Sequence, residues 1–107
     1  MRTKPKVGDV WVADLGIAAK TRPVLVLAVP DSEDARTLVI VAPLTSQIRG
    51  MRGEVKLGQV SWLPKVSAVN VHGIASFDPS RLERRLGACS QSQMNAVKAA
   101  LREMLQL

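Results

Sequence analysis

Two apolar runs, rich in β-branched residues and fenced by prolines, leave this chain few folds to choose from. Val24-Leu25-Val26-Leu27-Ala28-Val29 lies between Pro23 and Pro30, and Thr37-Leu38-Val39-Ile40-Val41-Ala42 stops against Pro43. Runs of this length read as strands buried on both faces, and a proline is tolerated at a strand's first position. The polar stretch Asp31-Ser32-Glu33-Asp34 between them is a turn, so the two runs predict a hairpin at the centre of a β core.

The flanking segments extend this pattern. Gly8-Asp9 opens Val10-Trp11-Val12, a first strand that ends at Asp14-Leu15-Gly16, and Lys20-Thr21-Arg22 closes the loop after it. Thr45 to Gly53 reads as a polar loop before a short strand at Glu54 to Leu57, and Val66 to Phe77 supplies two more short strands or one bent at Gly73. Two helical signals follow. Asp78-Pro79 reads as N-cap and first turn of a short helix carrying Leu82 and Leu86 and stopped by Gly87, while Ser90-x-x-Gln93 is a capping box. The second helix aligns Met94, Val97, Leu101 and Met104 on one face, which should pack on the sheet or on a partner. The pattern alone predicts a small, twisted, mostly antiparallel barrel with a C-terminal helix.

A length of 107 residues is one domain's worth and argues against a second catalytic domain. So small a domain buries a modest share of its surface, so a dimer is expected. Lys and Arg total 15 against 9 Asp and Glu, a net charge of +6 that points to a polyanionic partner, either nucleic acid or an acidic protein segment. With two Trp, one Phe and no Tyr, binding by stacking successive bases on rings is disfavoured, and charge and hydrogen bonds must dominate. Cys89 stands alone and there is one histidine, so neither an internal disulfide nor a common zinc spacing is available. The basic start, Met1 to Gly8, lacks the apolar stretch of a signal peptide, and the apolar runs fall far short of the roughly 20 residues that span a bilayer. The expectation is an intracellular protein of a reducing compartment, with no membrane partner.

Arg22 precedes a proline, which forces it into an extended conformation at the mouth of a buried strand, where it meets either a phosphate or the carboxylates of Asp9 or Asp14. Thr45 and Ser46 leave the other hairpin strand at the same rim, as phosphate ligands or as turn-capping hydroxyls. His72 is the one imidazole, the side-chain class suited to proton transfer near neutrality, and the glycine after it leaves room for a substrate. Arg81, Arg84 and Arg85 read first as a solvated helix face. No Gly-x-Ser-x-Gly elbow is present, and the carboxylates are too scattered for a metal cluster, so a nuclease built on this chain works without metal.

Gly8-Asp9-Val10-Trp11-Val12, Thr21-Arg22-Pro23-Val24-Leu25-Val26, Val41-Ala42-Pro43-Leu44-Thr45-Ser46-Gln47 and Ser80-Arg81-Leu82-Glu83-Arg84-Arg85-Leu86-Gly87 follow in an order that resembles the MazF/PemK toxins. These are the bacterial mRNA interferases of type II toxin–antitoxin pairs. The resemblance covers nearly the whole chain, so residues 1–107 read as a single toxin domain. It implies a mostly β, SH3-like barrel with a short helix and a C-terminal helix packed on it. It also implies a cytoplasmic homodimer that binds single-stranded RNA, a cognate antitoxin whose acidic C-terminal segment covers the same surface, and no cofactor. On the matching positions, Arg22 and Thr45 become catalytic residues at the reacting phosphate, and Ser46, Gln47, Lys20, Arg49 and Asn70 bind substrate. His72-Gly73-Ile74-Ala75 stands where relatives commonly read Asp-Gln-(Ile or Val)-Arg, which makes His72 the third catalytic candidate, and Asn70 stands where some carry a second arginine. The implied reaction is endoribonucleolytic, with the 2′-OH attacking the adjacent phosphate to leave a 2′,3′-cyclic phosphate and a 5′-OH. Two other functions fit the same chain: a same-fold toxin acting by protein contact, as CcdB-like gyrase poisons do, or a catalytically weak module that binds nucleic acid or antitoxin.

Overall fold

The computed structural model describes residues 4–16 and 21–107. Its regular elements are β1 (Asp9–Asp14), β2 (Thr21–Ala28), β3 (Val39–Thr45), β4 (Glu54–Gly58), β5 (Ser67–Asn70), β6 (Ala75–Phe77), β7 (Leu82–Ala88) and α1 (Gln91–Leu105). The strands lie in the order β4-β5-β3-β2-β1-β7, with β6 also paired to β3, and each pairing is antiparallel. The arrangement is barrel-like but not closed, since the end strands β4 and β7 do not pair.

The apolar run on β2 demands burial on both faces and receives it. Successive side chains on a strand point to opposite sides, so Leu25 joins one cluster while Val24 and Val26 join another. The first cluster, with Val10, Ala42, Leu44, Leu57, Val69 and Val71, is covered by α1 through Met94 and Val97, with Leu101 and Met104 packed at its margin. The helical stripe therefore seats on the chain's own sheet. The second cluster holds Trp11, Ala13, Val39, Val41 and Leu82, with Leu15 and Phe77 at its edge and no helix over it. Each fully buried Val or Leu contributes roughly 1.5–3 kcal/mol relative to exposure.

The capping box forms as expected. Ser90 Oγ accepts the Gln93 N–H at 3.1 Å and Gln93 Oε1 accepts the Ser90 N–H at 2.7 Å. Gln93 Nε2 then donates to the Leu57 carbonyl at 2.9 Å, which ties the start of α1 to β4.

Three local expectations are corrected. Pro43 does not end its strand, because β3 continues to Thr45. The proline sits where β3 changes neighbours: Pro43 is the last residue aligned with β2, and Leu44 and Thr45 align with β5. A residue without an N–H is tolerated at such a junction. Thr21 and Arg22 belong to β2 rather than to the loop before it, placing Pro23 third in the strand, opposite Val12. The helix expected from Asp78 to Gly87 is a single 3-10 turn, Pro79–Arg81, capped by Asp78, whose carboxylate accepts the Ser80 N–H at 2.9 Å. That bond holds the Asp78 carboxyl below its ordinary value. Beyond it the chain extends as β7, because β1 has an open edge that pairs with it from Ala13↔Leu82 to Asp9↔Ala88.

Candidate nucleic-acid interface

Where β2 and β3 emerge from the core, their ends carry the polar residues. Along β2 burial falls from the fully buried Val24 to the half-buried Pro23 and the exposed Arg22 and Thr21. On β3 the buried Leu44 gives way to a half-buried Thr45 and an exposed Ser46. A cavity of about 260 Å³ lies between these ends, lined by Arg22, Pro23, Leu44, Thr45, Ser46 and Gln47, and on its other wall by Leu63, Pro64, Lys65 and Ser67. Thr45 Oγ1 accepts the Gln47 N–H at 3.1 Å. The turn-capping role is therefore real, yet the Thr45 hydroxyl keeps its own proton to donate into the cavity.

Arg22 pairs with neither carboxylate that sequence offered it. Asp9 is buried and taken by the Lys6 N–H at 3.0 Å, Trp11 Nε1 at 3.3 Å and Arg85 Nε at 3.2 Å. Asp14 accepts the Gly16 N–H at 2.8 Å. Among the described residues no ion pair engages Arg22, and the lining of its cavity contains no carboxylate. The space is thus cationic, with hydroxyl, amide and guanidinium donors facing inward, which suits a phosphate.

Thr45 and Gln47 also line a second cavity of about 270 Å³, completed by Arg49, Glu54 and Asn70. Glu54 is fastened there, its Oε1 accepting the N–H of Arg49 at 3.0 Å and of Met51 at 3.1 Å. Arg22, Thr45, Ser46 and Gln47 are therefore brought together, and Arg49 and Asn70 adjoin them through the shared Thr45 and Gln47. Lys20 lies outside the described residues.

His72 lines neither cavity. It is exposed on a 3-10 turn, Val71–Gly73, where its N–H donates to Asn70 Oδ1 at 3.1 Å. The imidazole lies against Gly53, whose φ of +91° and missing side chain permit the approach, since a Cβ there would stand 2.6 Å from the ring. Gly73 packs on the Pro43 ring, where a Cβ would stand 2.7 Å from Pro43 Cγ, and together with Pro43 it lines a separate cavity of about 310 Å³ completed by Leu15, Val41, Ala75 and Phe77.

Sequence reasoning missed Lys65, Ser67 and Glu54. Their signal is faint: a single lysine after Pro64, a serine opening an apolar strand, and a glutamate at a glycine turn. Arg84 and Arg85 are strand residues opposite Val12 and Trp11, and Arg81 lies over the Phe77 ring at 5.8 Å, so these three do not form a helix face. Cys89 is half-buried, and burial pushes its thiol up to about 11, leaving it a poor nucleophile at neutral pH. Among the described residues, no three His, Cys, Asp or Glu side chains gather as metal ligands, and no helix is long and apolar enough to cross a membrane.

The sequence profile described as "PemK-like, MazF-like toxin of type II toxin-antitoxin system" matches residues 6–105. The chain is 34% identical over 102 residues to the probable endoribonuclease MazF5 of Mycobacterium tuberculosis, covering 94% of this chain and 93% of that one. The solved structure of the Mycobacterium tuberculosis toxin MazF-mt6 superposes with a TM-score of 0.78 at 30% identity, over 92% of this chain and 97% of the other. An endoribonuclease in complex with its cognate antitoxin, from a Mycobacterial species, gives a TM-score of 0.80 at 26% identity, over 96% of both chains.

Proposed function

Since the chain belongs to the PemK-like, MazF-like toxins of type II toxin–antitoxin systems, we propose that it is the toxin of such a pair and a metal-independent endoribonuclease acting on single-stranded RNA. The observation that carries this reading is the carboxylate-free cavity in which Arg22, Thr45, Ser46 and Gln47 converge. In the reaction the ribose 2′-oxygen forms a bond to the adjacent phosphorus and gives up its proton. The bond from phosphorus to the 5′-oxygen breaks, and that oxygen takes a proton, leaving a 2′,3′-cyclic phosphate and a 5′-OH. Arg22 stabilises the negative charge that grows on the phosphoryl oxygens, a contribution typically worth about 100- to 1000-fold in rate. The Thr45 hydroxyl donates to the same phosphate, and Ser46 and Gln47 fix its position. Arg49 and Asn70 in the adjoining cavity hold the neighbouring nucleotide.

His72 is the candidate for proton transfer, supported by its place two residues after Asn70 and next to the turn that leads into Glu54. Its test is the pH profile: a limb in the wild-type rate that His72→Gln loses assigns the step, and an unchanged limb removes it. An antitoxin's acidic segment would compete for the cationic rim, with affinity that falls as salt rises. Exposed Leu38 and Ile40, the latter aligned with Ser76 on β6, support a homodimer. A substrate and an antitoxin of this kind support a cytoplasmic location.

The decisive experiment incubates the purified protein with long single-stranded RNA in EDTA and identifies the ends produced. Cleavage to cyclic phosphate and 5′-OH ends, with DNA spared, is the expected result. Activity lost on chelation and restored by magnesium overturns the mechanism, and intact RNA overturns the enzymatic reading.

A further inference from the structure

The segment from Gln59 to Val66 joins β4 to β5 without strand or helix, yet it is fastened along its length. The Leu63 N–H reaches the Val60 carbonyl at 3.4 Å. Trp62 packs against the cluster beneath α1 and lies on Gly87 of β7, so closely that a Cβ on Gly87 would run into its ring. At the far end Ser67, only 5% exposed, donates its hydroxyl to the Lys65 carbonyl at 3.1 Å. Leu63, Pro64 and Lys65 between these anchors form a fixed wall of the cavity that also holds Arg22 and Thr45.

Lys65 makes no ion pair with any described residue, and the lining of its cavity offers it no carboxylate. An ordinary surface lysine needs no anchored backbone. Here the backbone is ordered in advance, so less freedom is lost when the ammonium meets a ligand. Two cations in one cavity repel each other and gain most from a shared anion.

We propose that Lys65 is a further substrate-binding residue, the second cation on the phosphate bound by Arg22, stabilising the charge that grows as the 2′-oxygen attacks. This assignment rests on the endoribonuclease reading and deepens it. Arg22 comes from the central strand and Lys65 from the anchored loop, so the phosphate is held by two independently positioned parts of the fold. Trp62 and Ser67 are positioning residues for the loop that carries Lys65.

The test compares Lys65→Met, which keeps most of the stem and removes the charge, with Lys65→Arg, which keeps the charge. kcat and KM are measured on a short RNA with one cleavage site over a range of salt, beside Arg22→Ala and with the Tm of each variant. Lys65→Met should lower kcat on the order of 100-fold with Tm unchanged, and Lys65→Arg should recover most of it. The slope of log kcat/KM against log salt should flatten by about 0.7, the value for one lost contact to a single strand. A Lys65→Met enzyme with wild-type kcat and salt slope, where Arg22→Ala is inactive, overturns the assignment. A loss that comes with a lowered Tm, or that Lys65→Arg does not repair, overturns it too, because the role is then structural. Wild-type cleavage by Arg22→Ala is a separate failure, which removes the phosphate site itself and Lys65 with it.

Discussion

At the β1–β7 edge the Asp9 carboxylate accepts hydrogen bonds from Lys6, Trp11 and Arg85. On the neighbouring strand, Arg22 ends in a cavity whose lining holds a second cation and no acid. Both residues are charged and both belong to the same small sheet, but the first has its partners within the described chain and the second does not. A charge satisfied internally lowers the free energy of the fold and is unavailable to a ligand. A cation left unmatched costs little while solvated and gains its partner only when an anion arrives. The contrast separates what holds this domain together from what it offers to a substrate.

Substitution should split the two regions cleanly. The largest effect is expected from Arg22→Ala, about 100- to 1000-fold in kcat with little change in Tm, read from single-site RNA cleavage and thermal melting. A large drop in Tm would mean that Arg22 serves the fold after all and would erase the distinction. Asp9→Ala should do the converse, leaving the Trp11 and Lys6 donors short of an acceptor and costing about 2 kcal/mol, or roughly 10 °C in Tm. Its folded fraction should retain wild-type kcat. Much of that cost comes from the unsatisfied donors, because the Arg85 side chain is 46% exposed and its ion pair is partly screened.

Gly87→Ala sharpens the comparison by joining the two regions. The added Cβ meets the Trp62 ring, so overpacking of about 1–2 kcal/mol is expected, together with reduced cleavage as the Lys65 wall shifts. Trp62→Ala made in the same chain should relieve part of the cost, so that the double variant loses less than the two singles combined. The smallest effect belongs to Arg52→Ala. Its pair with Glu103 at 3.0 Å links the loop before β4 to α1, but both side chains are more than half exposed, and about 0.5 kcal/mol or less is at stake in urea unfolding.

Much of this fold is legible in the sequence itself. Strand alternation, proline punctuation and the Ser90–Gln93 box place β1, the central hairpin and α1, because each is decided by residues close together in the chain. The segment from Leu82 to Gly87 was misread because Leu82 and Leu86 are four apart, as on a helix. What makes it a strand is the open edge of β1, some seventy residues earlier. Pro43 was misread for the same kind of reason, since β5, its strand's next partner, lies far along the chain. Within the candidate site, Arg22, Thr45 and Ser46 follow from the strand ends that carry them, and Gln47 from the family resemblance. Lys65 and Glu54 do not, because the surfaces they join are brought together only by tertiary contacts.

The seat of Trp62 on Gly87 also sets an order of events during synthesis. The hairpin that bears Arg22 and Thr45 is complete when residue 45 has been made, and the loop bearing Lys65 twenty residues later. That loop has no seat until β7 has emerged and paired with β1, the most widely separated strand pairing among the described residues. Pairings across long separations form slowly, and domains fold as units once enough chain is free. The wall of the candidate cavity that carries Lys65 is therefore set only once β7, about twenty residues farther along, is free to pair with β1.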